Sequence, residues 1–196
     1  TGVTSNTRNI VALSDLGENV KVSRTDLWGI GSGNVPSNNA NSEYSTIAQG
    51  HPQARNIDQT STVLDGLGLV GGTDYEKLSS ARLLNSSEYT VNQALGYVSL
   101  RTGLQTDQVL AIAYEYTSGG VTYQVGEFSS DRTDVSEALF VKSLKNTSNN
   151  PKQANWDLMM KNVYYLASTV ERDKFRLDVK FQSDTAGVYL PYIPEP

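Results

Sequence analysis

One histidine, no cysteine and a scatter of carboxylates bound the chemistry open to this chain. A hydrolase triad or a catalytic zinc site would have to use His51, which sits beside Pro52 in a loop. Zinc would then have only carboxylates to add to it, an uncommon donor set. No Gly-x-Ser-x-Gly elbow occurs, so no catalytic residue is assigned. Gly29-Ile30-Gly31-Ser32-Gly33 has the composition of a phosphate-binding loop. That chemistry needs a strand before the glycines and a helix N-terminus directly after them. Pro36 and an Asn-rich segment follow instead, which reads as a flexible loop with no cofactor. Glu127, Asp131, Asp134 and Glu137 offer oxygen ligands within a short span, the donor type calcium takes. The span lacks the glycine and ligand rhythm of a calcium loop. It reads as a solvated acidic connection, with no metal assigned.

Five of the eleven tyrosines, Tyr89, Tyr97, Tyr114, Tyr116 and Tyr123, fall between 88 and 128. Exposed on one face they would form a platform for glycan or extended peptide. At least Tyr114, Tyr116 and Tyr123 lie on apolar strand faces, where core and rim packing is the expected role. Asn85-Ser86-Ser87 and Asn146-Thr147-Ser148 match the N-glycosylation pattern.

Length and charge narrow the class. A chain of 196 residues suits one domain or two small ones. Hydrophobic content of 38% is enough for a core. Sixteen basic against twenty-one acidic residues give a net charge of −5, with no basic run, so the footprint of a nucleic-acid binder is missing. No apolar run reaches the ~20 residues of a membrane helix. The chain opens Thr1-Gly2 without a signal peptide, and the expectation is a soluble segment of something longer.

The elements that must position these groups centre on Glu88–Phe128. Leu110-Ala111-Ile112-Ala113-Tyr114-Glu115-Tyr116 alternates, which predicts a strand with Leu110, Ile112, Tyr114 and Tyr116 on one face. Its small apolar alanines predict cover on both faces and a central place in the sheet. Ser118-Gly119-Gly120 then Val121–Val125 completes a hairpin. Tyr89-Thr90-Val91 and Tyr97–Leu100, joined by a loop ending at Gly96, predict a second. Upstream, Asn9–Leu13 reads as a buried strand and Val20-Lys21-Val22 as its partner. Helical turns are expected near Tyr44–Ala48, with Asn41 as N-cap, and near Val63–Leu67. Downstream, Ala138–Leu144 is a strand, with a helix as runner-up. Asn155 caps an amphipathic helix near 156–167 whose stripe is Trp156, Met159, Met160, Val163, Tyr164 and Ala167. Phe175–Phe181 alternates again, with Phe175, Leu177, Val179 and Phe181 expected to be buried. The sum is an α+β fold: an antiparallel sheet or sandwich with a packed helix. Residues 1–74 form a loop-rich part and 75–196 a β-rich part, together one compact unit.

Several uncommon words recur along the chain in one order. They are Tyr75-Glu76-x-Leu78, Ala81-Arg82-Leu83-Leu84, Glu88-Tyr89, Leu95-Gly96-Tyr97, Val109-Leu110-Ala111, Ala113-Tyr114-Glu115-Tyr116-Thr117 and Tyr123-Gln124-Val125-Gly126-Glu127-Phe128. Leu139-Phe140-Val141-Lys142, Trp156–Tyr164 and, near the start, Thr7–Leu13 complete the set. In these words the chain resembles the SprA (Sov) family of cell-surface and gliding-motility proteins. Members are giant outer-membrane β-barrels, the translocon of the type IX secretion system in Bacteroidetes. The resemblance implies a non-catalytic segment in the cell envelope, periplasmic or surface-exposed. Its implied partners are the parent barrel, accessory proteins and exported cargo. It also makes Asp184-Thr185-Ala186 similar to the O-glycan acceptor of Bacteroidetes envelope proteins, with Thr185 the acceptor.

A membrane barrel needs many ~10-residue strands with an outward apolar face, and this segment has no such array. Loops on a scaffold usually carry contacts, which points to Leu27–Asn41, around Ser32, and to the loop near Asp131. A rival reading is a secreted adhesin-type module for glycan or peptide, which requires several aromatics exposed on one face. A third is an envelope hydrolase, which requires a cleft with perturbed carboxylates.

Overall fold

A computed structural model describes residues 6–18, 24–28, 35–148, 150–160, 169–171, 173–182 and 187–192. The chain divides into two compact units, Thr1–Met160 and Lys161–Pro196. The elements in chain order are β1 (Thr7–Leu13), α1 (Thr25–Trp28), α2 (Glu43–Ser45), α3 (Thr60–Gly66), β2 (Tyr75–Arg82), β3 (Tyr89–Asn92), β4 (Tyr97–Leu100), β5 (Leu110–Ile112), β6 (Tyr114–Ser118), β7 (Val121–Val125), β8 (Leu139–Lys145), β9 (Phe181–Gln182) and β10 (Tyr189–Leu190). Short helices with small sheets make this an α+β fold.

The first unit is built on a four-stranded sheet in the order β2-β1-β8-β5. β1 runs antiparallel to β2 and parallel to β8, so the sheet is mixed. Alternation along the two inner strands sorts their side chains. Val11, Leu13 and Phe140 face one way and pack with Leu16, Ile47, Ala54, Leu64 and Leu69. The helical segments between 43 and 69 therefore cover that face. Ala12, Leu139 and Val141 face the other way, with Ile10, Leu78, Val109 and Ala111 beside them. Burial of β1 on both faces explains why Val11, Ala12 and Leu13 are all fully buried.

The two hairpins form as the alternation predicts, β3 with β4 and β6 with β7. The long strand Leu110–Tyr116 does not. It divides at Ala113: among the described residues β5 pairs with β8, while β6 pairs only with β7. β5 is thus an edge strand, not a central one. The break has a local cause. Gly126, at φ +77°, lies so close that a Cβ there would stand 3.0 Å from Ala113 Cβ. Asn38 fills the gap beside it: its amide donates to Gly126 O at 3.1 Å and accepts from Gly126 N at 2.8 Å.

The helical turn after Asn41 is present. Its N-cap is Ser42, not Asn41, whose Oδ1 accepts from Glu43 N at 2.8 Å just before the helix, and α2 continues as a wider turn over Thr46–Gly50. The long helix near 156–167 is not found where described. Ala154–Leu158 forms a 3₁₀ helix, and Met159 turns extended at ψ 141°. Asn155 Nδ2 donates to Ser143 Oγ of β8 at 2.8 Å, so a tertiary bond holds this turn in place of helix propagation. Trp156 is half-buried, and Leu158, Met159 and Met160 are exposed. Val163, Tyr164 and Ala167 lie outside the described residues, as do Val20–Val22.

In the second unit only Phe181 and Gln182 of the alternating run form strand, paired with β10. Phe175, Leu177 and Val179, expected to be buried, are exposed. A strand needs a neighbour for its N–H and C=O groups, and among the described residues Phe175–Lys180 has none.

Candidate functional site

Two charged centres lie inside the first unit, and neither is evident from spacing. The first joins Arg55, at the end of a 3₁₀ helix Pro52–Arg55, to Glu127, which follows β7 and Gly126. Both side chains are 2% exposed. Arg55 donates to both carboxylate oxygens, at 2.6 and 2.7 Å, and also to Ala138 O at 3.2 Å. Tyr44 Oη donates to Glu127 at 2.7 Å, and Phe140 N donates to it at 2.9 Å. The Arg55 guanidinium stacks 4.3 Å above the Phe140 ring. Arg132 approaches the same carboxylate at 3.5 Å from the surface side. Burial alone would raise the Glu127 carboxyl, but the bonds from Arg55, Tyr44 and Phe140 outweigh it and hold the group below its ordinary value. Burial, then the bond to Glu127, pushes the Tyr44 phenol up to about 12.

The second centre is acidic. Asp15, Glu18 and Glu43 are buried with Lys142 of β8. Lys142 Nζ meets Glu18 at 2.5 Å and donates to Ser14 O. Glu18 also accepts from Leu16 N at 2.6 Å, and Asp15 from Gly17 N at 2.9 Å. Glu43 Oε2 is buried without a hydrogen-bond partner among the described residues. Burial, and then the charges of Asp15 and Glu18, raise its carboxyl to about 10, so it is held protonated at neutral pH. Among the described residues no group of three or more His, Asp or Glu side chains is arranged to hold a metal ion.

Of the residues singled out in the sequence, Glu127 is misplaced as a solvated loop carboxylate: it turns inward. Asp131 caps its own turn, accepting from Phe128 N at 2.8 Å and Gln124 Nε2 at 2.7 Å. Asp134 accepts from the Ser136 backbone and hydroxyl, and its carbonyl takes a bond from Arg8. The acidic loop is therefore stitched to β1 and β7. The half-exposed His51 ring lies 3.5 Å from Gln53 Nε2. Tyr116 stacks on Tyr123 at 5.5 Å, and its hydroxyl donates to Pro36 O, while Tyr114 packs on the core. These rings serve packing, not a free platform. Asn146 is buried and bonds Gly72 O and Gln153, so its glycosylation pattern is inaccessible. Gly29–Gly33 with Ser32, and Asp184-Thr185-Ala186, lie outside the described residues.

Arg55, Glu43, Asp15, Glu18 and Lys142 escaped sequence reasoning. One signal was available: in Leu139-Phe140-Val141-Lys142 the lysine takes an inward slot of an apolar strand. A charge in such a slot calls for a buried partner.

Fold and centres together define an α+β domain whose interior charges tie distant segments to one another. No protein-family model matches the chain, and no curated protein does. No helix among the described residues is long and apolar enough to cross a membrane.

Proposed function

We propose that this chain is a non-catalytic domain of an outer-membrane protein-secretion translocon, supporting export to the cell surface and gliding motility. It works in the cell envelope against its parent barrel, accessory proteins and passing cargo. What carries the reading is the ordered set of words in which the chain resembles the SprA family. Those words fall on the framework: Thr7–Leu13 is β1, Tyr75–Leu78 opens β2, Ala113–Thr117 and Tyr123–Phe128 hold the β6–β7 hairpin with Glu127, and Leu139–Lys142 opens β8. The non-catalytic role is supported by the use of the buried charges, which bond to one another and to backbone.

A tethered domain has a high effective concentration toward its neighbours and can act through weak contacts. Site-specific photocrosslinking from Asp131 and Ser32 in the full-length parent protein tests this. Adducts to barrel components or exported cargo are expected. Adducts only to external glycan or host protein, with secretion intact after deletion of the domain, would overturn it in favour of the adhesin-type module.

A further inference from the structure

The run Phe175-Arg176-Leu177-Asp178-Val179-Lys180-Phe181 is a strand sequence that, among the described residues, has no partner before Phe181. Its apolar positions Phe175, Leu177, Val179 and Phe181 are 50%, 57%, 78% and 37% exposed. Among the described residues Phe175–Lys180 makes no backbone hydrogen bond. The run feeds directly into β9, which among the described residues pairs with β10 along one edge only. A two-stranded ribbon is marginal by itself, and adding strands stabilises it. The outward residues carry charges of both signs: Arg176 and Asp178 bridge at 3.1 Å along the strand, and Lys180 follows. Charged side chains on a strand edge oppose pairing where like signs meet and favour it where opposite signs meet. Alternating signs therefore select a register.

We propose that two copies of this chain pair antiparallel through Phe175–Gln182, with Val179 on the two-fold axis. Residues opposite one another in an antiparallel ladder share a face. Keeping the apolar side chains together therefore limits the registers, and charge decides among them. Centred on Val179, Asp178 faces Lys180 twice, Leu177 faces Phe181 twice, and Arg176 faces Gln182. Centring on Asp178 sets Arg176 against Lys180 and Asp178 against itself. Centring on Leu177 sets Lys174 against Lys180. Centring on Arg176 or Lys180 opposes that residue to its own copy. Centring on Phe175 sets Lys174 against Arg176, so of the centres from Phe175 to Lys180 only Val179 avoids like charges. It also sets β9 of each copy between its own β10 and Arg176–Leu177 of the other copy, and Leu190, the partner of Phe181, extends the apolar face.

The chain has no cysteine, which makes the register directly readable. Val179→Cys, Leu177→Cys and, as a distant exposed control, Val135→Cys are treated with a short bis-maleimide in the full chain. Val179→Cys is expected to crosslink to its own copy several-fold faster than either other variant. In sedimentation, Asp178→Lys, which opposes lysines twice, weakens self-association about tenfold. Asp178→Lys with Lys180→Asp restores it. A monomer at every attainable concentration, preferential crosslinking at Leu177→Cys, or failure of the charge swap to rescue overturns the proposal.

Discussion

Arg55 and Glu127 stand 72 residues apart in the chain and meet through two bonds of 2.6 and 2.7 Å, both side chains sealed from water. The pair ties the helical segment to the β6–β7 hairpin, and through Phe140 N and Ala138 O to β8. Such a pair is expensive to break from one side, because the surviving charge stays buried. Glu127→Ala should cost ~3–5 kcal/mol in a urea melt, whereas Arg55→Met with Glu127→Leu should recover most of that loss.

The same carboxylate predicts an acid response. Its folded value lies below its unfolded one, so its contribution is present above the ordinary carboxylate range and is lost as pH falls through the folded value. Thermal melts of Glu127→Gln between neutral pH and about pH 2 should show a flatter profile than the native chain.

Glu43 predicts the opposite slope. Its carboxyl is raised to about 10 from an ordinary 4.5, so its stabilising contribution is full below 4.5 and falls as pH rises toward 10. Asp15 and Glu18 from the loop after β1 and Asp74 before β2 act to raise it, and Lys142 of β8 acts to lower it. Glu43→Gln should match the native chain at pH 4 and exceed it at pH 9 by ~1–3 kcal/mol, read from paired denaturant melts.

Gly126 is required by conformation and by space. Gly126→Ala adds a Cβ 3.0 Å from Ala113 Cβ at φ +77°, and should cost ~1–3 kcal/mol. Gly119→Ala, at φ +59° with nothing within 4 Å, should cost only the backbone part, ~1 kcal/mol. Equal losses in the two variants would remove the close approach as the reason β5 and β6 part.

The two ring cores should separate by burial. Phe140 is fully buried beneath the Arg55 guanidinium, and Phe140→Ala should cost ~3–5 kcal/mol. Trp156 is half-buried, so Trp156→Ala should cost less, ~1–3 kcal/mol. Denaturation midpoints of the two variants rank them directly.

Local pattern by itself determined the pieces of this protein. The short apolar run Asn9–Leu13, the period of two in Tyr97–Leu100 and Val121–Val125 and the glycines at 96, 119 and 120 were enough to place β1 and both hairpins, because strand faces and tight turns are set by adjacent residues. Alternation cannot say which strand lies beside which. Leu110–Tyr116 reads as one strand, yet Gly126 and Asn38 divide it between two sheets. Asn155 reads as a helix cap, yet Ser143 claims its amide. Phe175–Phe181 reads as a buried strand, yet no neighbour covers it among the described residues. The charged centres lay further out of reach. Arg55 and Glu127 are ordinary surface residue types until β8 brings them together, and Glu43 is an ordinary acid until Asp15 and Glu18 surround it. Only tertiary structure decides these, because burial and charge pairing depend on contacts between segments whose separation in sequence carries no local signal.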